Sequence, residues 1–223
     1  MKKAILIIIL TILCFSCKEN PKEVSETKEL TIAEKIANAH GHEHWKNVSK
    51  IEFTFNVDKD SSHTERSWIW EPKSNNLSFL ASKDSMVTYN RNKIDSTKID
   101  LDKGFINDKF WLLVPFQLVW DKNTTISEPI KTEAPISKTQ MNKMTLTYPS
   151  DGGGYTPGDA YDLYYGEDYL IKEWVFRRGN SEEPSLINTF ETYQVYNGLK
   201  LATEHKMANG MNINFTNIKL TIE

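Results

Sequence analysis

Three histidines at alternating positions have the spacing that could support metal chemistry. His40, His42 and His44 enclose Glu43, and imidazole groups that share one face can bind Zn²⁺. The segment follows a helix that we expect to end at Gly41, and a helix end turns the three rings in different directions. The pattern therefore favours a polar turn between helices, and we predict neither a metal site nor a cofactor.

Two close pairs of acidic residues could act in hydrolysis. Asp159 and Asp162 form one pair, and Glu167 and Asp168 form the other. Paired carboxylates at a fixed separation are the machinery of glycoside hydrolases, but spacing alone does not distinguish them from solvated charges in turns. A carboxylate-based hydrolase stays open as an alternative, and it predicts a shared cleft and one raised carboxyl pKa. We expect no enzymatic activity and assign no catalytic residue.

The sequence disfavours several other functions. The glycine run 152–154 lacks a following Gly-Lys-Ser/Thr and a helical pattern, so it does not form a phosphate-binding loop. No Gly-x-Ser-x-Gly nucleophile motif is present. The 223 residues carry a net charge of −3, with Arg177-Arg178 as the one adjacent arginine pair. A basic face for nucleic acid is therefore not expected.

Residues 1–16 have the composition of a secretion signal. Lys2 and Lys3 precede the apolar run Ala4–Phe15. This run is shorter than the roughly 20 residues that a membrane-spanning helix needs. We therefore predict a cleaved signal peptide rather than a membrane span.

A small residue and a cysteine follow the apolar run. Ser16 before Cys17 resembles the bacterial lipobox, in which the cysteine is acylated and becomes the new N-terminus. Residues 17–29 are charged and lack an apolar period, as expected of a flexible tether. Their Lys-then-acidic start resembles the surface-export signal of Bacteroidota lipoproteins. We predict lipidation of Cys17 and anchoring to the outer membrane, facing the periplasm or the cell surface.

The last part of the chain has the strongest strand signals. Asn197-Gly198 and Asn209-Gly210 separate runs rich in β-branched, aromatic and aliphatic residues. Asn-Gly favours a two-residue type I′ turn, which connects antiparallel strands. We predict three strands over Leu186–Tyr196, Leu199–Ala208 and Met211–Ile222.

Two tight turns would fix the register of these strands. Leu199 would then lie opposite Leu220 on one face, while Ile213 and Phe215 would lie on the other. Apolar residues on both faces would mean that the sheet covers a core on one side. The other side would contact a helix, a second sheet, a partner or an apolar ligand.

A capped helix opens the rest of the domain, and strand patterns follow it. Thr31 is a helix N-cap, and Glu34 completes a capping box. The segment Phe110–Trp120 is strongly apolar, but Pro115 predicts a short helix or a turn there. Further strands are predicted at Ile51–Val57, Thr64–Trp70, Asn76–Ser82, Ser85–Asn90, Lys143–Tyr148, Ala160–Tyr165 and Tyr169–Arg178. We predict one domain, 30–223, with roughly ten strands and one or two helices.

Short motifs along residues 30–223 carry a family resemblance. Ala39-His40-Gly41 with Trp45, and Tyr155–Asp159 with Tyr161, resemble a family of flavobacterial lipoproteins of the Bacteroidota. More distantly, Tyr169–Phe176 is similar to the later strands of the lipoprotein-localisation carriers LolA and LolB. The resemblance implies a mainly antiparallel α+β fold: a single open β half-barrel over a helix, with an apolar cavity for acyl chains.

The leading functional prediction is a monomeric outer-membrane lipoprotein that binds a lipid or acyl chain without catalysis. Its partners would be the membrane and a hydrophobic small molecule. The predicted cavity residues are aromatic or aliphatic: Trp68, Trp70, Phe79, Trp111, Leu112, Phe116, Trp174, Ile213 and Phe215. The alternative is a structural or interaction module of the cell envelope, with these residues as a filled core.

Overall fold

Thirteen strands and three α-helices make up the described part of the chain. The computed structural model describes residues 29–82, 85–151, 155 and 157–223. The predicted signal peptide, Cys17 and most of the predicted tether lie outside the described residues. The helices are α1 (Ile32–Ala39), α2 (His42–Trp45) and α3 (Ile99–Trp120).

Among the described residues, four strands precede α3 in the chain and nine follow it. The first four are β1 (Val48–Lys59), β2 (Ser62–Glu71), β3 (Asn76–Ser82) and β4 (Ser85–Asn90). After α3 come β5 (Thr125–Ile126), β6 (Ile130–Glu133), β7 (Gln140–Thr147), β8 (Ala160–Tyr165) and β9 (Ile171–Arg177). The last four are β10 (Leu186–Thr189), β11 (Glu191–Tyr196), β12 (Leu199–Lys206) and β13 (Asn212–Ile222).

The strands form two open antiparallel sheets. One has seven strands in the order β11-β12-β13-β1-β2-β3-β4. The other has the order β10-β9-β8-β7-β5, with β6 also paired to β7. Every pairing is antiparallel. The predicted fold class, mainly antiparallel β with open sheets and a few helices, is confirmed.

The predicted strand over 186–196 is divided between the two sheets. Leu186–Thr189 pairs with β9, whereas Glu191–Tyr196 pairs with β12. Between them, the backbone N–H of Phe190 donates to the carbonyl of Lys172 at 2.7 Å. The chain therefore passes from one sheet to the other at Phe190.

The second hairpin turn is longer than predicted. The N–H of Met207 donates to the carbonyl of Met211 at 2.9 Å, so the turn spans five residues. As a result His205, rather than Lys206, pairs with Ile213. A one-residue change in register moves every side chain of a strand to the other face.

A bulge further along β13 adds to this change. Asn217 has a φ of 54°, and the pairing with β1 shifts by one residue near it. Together with the longer turn, the bulge directs Ile213, Phe215, Ile218 and Leu220 to the same core. The predicted placement of Ile213 and Phe215 on the face opposite Leu199 and Leu220 is therefore wrong.

The outer side of the seven-stranded sheet carries a polar network instead. The amide of Asn56 donates to Asn214 at 3.2 Å and to Thr216 at 3.1 Å, and the hydroxyl groups of Thr54 and Ser67 lie 2.8 Å apart. These groups satisfy one another's hydrogen bonds, so this side needs no apolar cover.

Helix α3 is much longer than the predicted short helix or turn. It runs over Ile99–Trp120 and is broken locally at Leu113, two residues before Pro115, where φ is −117° and ψ is 16°. Proline removes one backbone hydrogen bond and bends a helix. The helix continues because its second half is buried on nearly all sides, and one core cluster joins it to both sheets.

The predicted α1 is confirmed, and its end contacts the first hairpin turn. The N–H of Thr31 donates to the Glu34 carboxylate at 2.7 Å, which completes the capping box. Gly41 has a φ of +86°, and a Cβ there would lie 2.1 Å from the carbonyl oxygen of Gly198. Only glycine fits both the left-handed backbone and this close approach.

Candidate functional site

A pocket of about 960 Å³ lies between α3 and the six-stranded sheet. The helix contributes Phe110 and Trp111 to its wall, and the sheet contributes Tyr161, Trp174 and Phe176. The kink at the middle of α3 and the alternation of side chains along β8 and β9 point these rings toward one another. Clefts of this size that combine apolar side chains with polar groups are the usual sites for small ligands.

The aromatic rings of the wall are in mutual contact. The ring centroids of Phe110 and Tyr161 are 4.7 Å apart, those of Trp111 and Trp174 are 4.5 Å apart, and those of Tyr161 and Phe176 are 5.1 Å apart. Such tilted and offset pairs stabilise one another beyond their burial. The aromatic rings therefore hold one another in place and form a continuous apolar surface.

The pocket is basic, although the chain as a whole is acidic. Among its described lining residues, five are basic and two are acidic, whereas the whole chain carries −3. The basic residues are Arg91, Lys103, Lys109, Lys122 and Arg178, and the acidic residues are Asp121 and Asp159. An excess of one charge in a cleft favours ligands of the opposite charge.

Lys109 is the buried cation of this pocket, with 7% of its surface exposed. Its ammonium donates to the side-chain oxygen of Gln117 at 3.0 Å and lies 5.4 Å from the centre of the Trp70 ring. Burial and, to a smaller extent, the nearby charge of Arg91 lower the pKa of Lys109 to about 8. A desolvated ammonium is stabilised by an added anion.

Asp121 is held in a fixed position near Lys109. The amide of Gln117 donates to both carboxylate oxygens of Asp121 at 3.0 Å, and the hydroxyl of Tyr148 donates to one of them. Burial, followed by the charge of Asp121, raises the pKa of Tyr148, so this hydroxyl stays a donor. The hydrogen bonds from both neighbours satisfy this carboxylate within the protein.

The predicted cavity residues are gathered in one region, but most lie behind the pocket. Trp111 and Trp174 line it. The other buried members of the set belong to the core cluster: Trp68, Trp70, Leu112, Phe116, Ile213 and Phe215. Phe79 is half-buried and lies 4.9 Å from Trp68, measured between ring centroids. Contact of these residues with a ligand stays a prediction.

Sequence reasoning missed several residues of the pocket. Phe110, Tyr148, Tyr161 and Phe176 complete its wall, and Lys109 is its buried cation. Side chains alternate between the two faces of a strand, and this alternation along the predicted strands could have placed Tyr161 and Phe176 on the face toward the pocket. No sequence signal marked Lys109, because its burial depends on where α3 packs.

The three histidines do not converge. His40 is buried, and its Nδ1 lies 2.8 Å from the carbonyl oxygen of Ile36. His42 packs 6.1 Å from Phe116, between ring centroids, while His44 is exposed. Within the ranges that the structure describes, no three metal-ligating side chains form a group that could hold an ion.

The four acidic residues of the proposed pairs have separate partners and do not share a cleft. Asp159 lines the pocket, whereas Asp162 lies on the face of β8 away from Tyr161. A hydrogen bond and charge from Lys131 lower the pKa of Glu167, the opposite of what the hydrolase alternative predicts. The partners of the four are Gly179, Arg177, Lys131 and Lys172.

A second pocket, of about 920 Å³, lies beside the start of α1. It includes Glu29, where the first described segment begins, and Lys35, and the two form an ion pair at 3.0 Å. Its aromatic residues are Tyr165 and Tyr169, whose ring centroids are 6.0 Å apart. It lacks the tryptophan and phenylalanine wall of the first pocket, which is therefore the stronger candidate.

None of the helices in the described ranges combines the length and the apolar character that crossing a membrane requires.

The fold and the pocket define an open, mainly antiparallel β protein with a long helix against both sheets and an aromatic cleft beside that helix. No protein-family model and no curated protein sequence matches this chain.

Several solved structures are similar to it. One is a LolA superfamily protein from Nitrosomonas europaea, with 10% identity, coverage of 87% of this chain and 96% of that chain, and a TM-score of 0.46. A DUF1329 family protein from Desulfovibrio piger has 10% identity, covers 85% and 90%, and has a TM-score of 0.43. A Vibrio parahaemolyticus domain assigned to outer membrane lipoprotein sorting has 10% identity, covers 85% and 93%, and has a TM-score of 0.42. Structural similarity at this level of sequence identity and TM-score carries no conclusion about ligand or function.

Proposed function

We propose that this protein is an outer-membrane-anchored lipoprotein that binds a hydrophobic ligand, a lipid or acyl chain, without catalysis. The observation that carries the proposal is the aromatic pocket beside α3. Its volume of about 960 Å³ is at the upper end of the usual range for small-molecule sites. Each methylene group buried there would contribute about 0.8 kcal/mol to binding.

The alternative function, an interaction module of the cell envelope, predicts a filled core. Six of the nine predicted cavity residues are buried in the core cluster and do not line the pocket. In that alternative the pocket is a surface cleft without a ligand. Ligand binding therefore distinguishes the two functions.

We expect the chain from residue 17 onward, produced without its signal, to bind a fluorescent fatty-acyl probe. Trp111 and Trp174 line the pocket, so binding should quench tryptophan emission and saturate at one probe per chain. Solvent extraction and mass spectrometry of the purified protein should release a bound lipid. An empty extract together with an unchanged emission would support the interaction module instead.

A matched pair of substitutions tests the location. Ile106→Trp would fill the pocket from α3 and should weaken probe binding at least tenfold, because the added ring occupies the ligand's volume. Val195→Trp adds the same ring at a site that is 66% exposed and does not line this pocket. Equal affinities of the two variants would place the probe elsewhere.

The proposed anchor at Cys17 has its own test. We expect Cys17→Ala to abolish incorporation of labelled palmitate and to release the protein from the membrane fraction. Several buried acyl chains anchor a protein lastingly to a membrane, and a protein without acyl chains lacks this anchor. Cys14→Ala is the matched control, since the sequence assigns the lipid to Cys17, and should leave labelling and fractionation unchanged. Labelling that persists in Cys17→Ala would contradict the anchor.

A further inference from the structure

We infer that the pocket beside α3 binds an anionic amphiphile whose acidic head, a carboxylate or phosphate, is bound by the ammonium group of Lys109. This rests on the proposed function and names the chemical class of its ligand. In this arrangement Lys109 contacts the acidic head of the ligand, and the aromatic wall contacts its chain.

Lys109 has unused hydrogen-bonding capacity. A lysine ammonium has three N–H donors, and across the described residues only Gln117 accepts from it, at 3.0 Å. The ring centres of Trp70 and Phe105 lie 5.4 and 6.0 Å away and offset part of the cost of burying the charge. Two donors thus remain for a ligand.

Two of the other basic residues of the pocket already have partners. Arg91 is paired with Asp102 at 2.6 Å, and Lys103 with Asp100 at 3.1 Å. Within the described residues Lys109 has no carboxylate within ion-pair distance, and the charges of Asp121 and Asp102 act on it only from further away. Burying an unpaired charge is costly, and a ligand anion would remove that cost.

A second buried donor in the pocket also lacks an acceptor. No described residue accepts a hydrogen bond from the indole N–H of Trp174, and only 1% of Trp174 is exposed. Buried donors normally have an acceptor. Trp174 lines the pocket together with Lys109, but its indole nitrogen is itself buried, so the proposal is based on the ammonium of Lys109.

A bound anion would change the pKa of Lys109. Burial lowers this pKa to about 8, which disfavours the charged form. An anion beside the ammonium favours the charged form and would raise the pKa again. The aromatic wall explains why the anion would carry a chain, because a free anion would leave the rings without a contact.

We would measure the binding of palmitate, hexadecanol and hexadecyltrimethylammonium to the chain from residue 17 onward, produced in the cytoplasm so that Cys17 stays unacylated. These ligands share a chain length and differ in the charge of the head. We expect palmitate to bind about ten- to a hundredfold more tightly than hexadecanol, the range of a hydrogen bond to a charged group. The cationic ligand should bind most weakly, and acetate alone should show no binding.

Two variants then test the role of the lysine. Lys109→Met keeps most of the side-chain volume and removes the charge, so palmitate affinity should fall to that of hexadecanol while hexadecanol affinity is kept. Lys206→Met removes a half-exposed lysine that is paired with Glu191 and does not line this pocket, and should change the preference less than threefold. With carboxyl-labelled palmitate, NMR should show a lowered pKa of the bound acid in the wild type that is lost in Lys109→Met.

The outcomes separate the two proposals. If neither palmitate nor hexadecanol binds, the hydrophobic-ligand function fails. If both bind equally to the wild type, or if Lys109→Met keeps the preference for palmitate, the function stands and the assignment to Lys109 is wrong. Hexadecyl phosphate, compared in the same way, distinguishes a phosphate head from a carboxylate head.

Discussion

Two buried histidines should together lower the stability of this protein to unfolding by about 6 kcal/mol between pH 7 and pH 4. Burial lowers the pKa of His40 to about 4 and that of His205 to about 3. His205 packs among aromatic rings, with its ring centroid 4.4 Å from that of Phe190. Each histidine stays neutral in the folded protein well below its ordinary pKa of about 6.5.

The sign of the effect follows from proton uptake. Below about pH 6.5 the unfolded chain binds a proton on each histidine, whereas the folded chain does not until the pH reaches the folded pKa. The free energy of unfolding therefore decreases as the pH is lowered from about 6.5 to about 4. The decrease is about 1.4 kcal/mol per pH unit for each histidine. The loss is a large part of the 5–15 kcal/mol that domains of this kind usually have, on the order of half.

Urea unfolding at a series of pH values, followed by circular dichroism, measures this slope. His205→Phe keeps an aromatic ring against Phe190 and removes one titrating group, so about half of the slope should disappear. His63→Asn is the surface control. A hydrogen bond to Asp58 raises the pKa of His63, so this group gains no stability as the pH rises, and its removal should leave the slope unchanged or steeper. Equal slopes for both variants would contradict the role of His205.

Replacing Asp108 by alanine should destabilise the protein by about 3–5 kcal/mol. Asp108 is on α3 and 0% exposed. Its carboxylate accepts two hydrogen bonds from Arg66, at 2.6 and 2.7 Å, and one from the indole N–H of Trp68 at 2.8 Å. Alanine would leave a buried indole donor without an acceptor and the guanidinium without its partner.

Two further substitutions make the Asp108 test specific. Asp108→Asn keeps an acceptor for Trp68 and loses the charge, so we expect an intermediate loss of about 1–3 kcal/mol. Asp100→Asn changes the same chemical group on the same helix, at a side chain that is 95% exposed. Its effect should stay within about 0.5 kcal/mol. Similar losses in chemical denaturation for Asp108→Ala and Asp100→Asn would show that the buried pair is unimportant.

The Asp108 contacts also bear on the pocket. They attach α3 to β2 next to Lys109, so they fix the height at which the helix lies against the sheets. A helix shifted along its axis would move Lys109, Phe110 and Trp111 away from Trp174. We therefore interpret this ion pair as a positioning contact for the pocket.

Local sequence signals were reliable where neighbouring residues decide the structure. The capping box at Thr31 and the turn at Asn197-Gly198 formed as predicted. The alternation over Ile51–Val57 lies within β1. In each case the deciding interactions join residues that are close in the chain, or depend on a period of two.

The sequence was misleading where distant contacts decide. Asn209-Gly210 signalled a two-residue turn, but pairing of β13 with β1 favours a longer turn and a bulge that bring Ile213 and Phe215 to the core. Pro115 signalled the end of a helix, but packing on nearly all sides of α3 outweighs the lost hydrogen bond. Neither the pairing of β13 with β1 nor the packing around α3 can be inferred from a short stretch of sequence.

The sequence by itself determined an antiparallel β protein with a capped first helix, because turn chemistry and alternation act over a few residues. The lipid anchor at Cys17 stays a prediction from the sequence. Only the tertiary structure decided which side of the terminal strands is apolar, how far α3 extends, and that Lys109 is buried in an aromatic pocket. These features depend on how β1 pairs with β13 and where α3 lies between the sheets. A register or a burial state is set by the free energy of the whole core, and so no single segment encodes it.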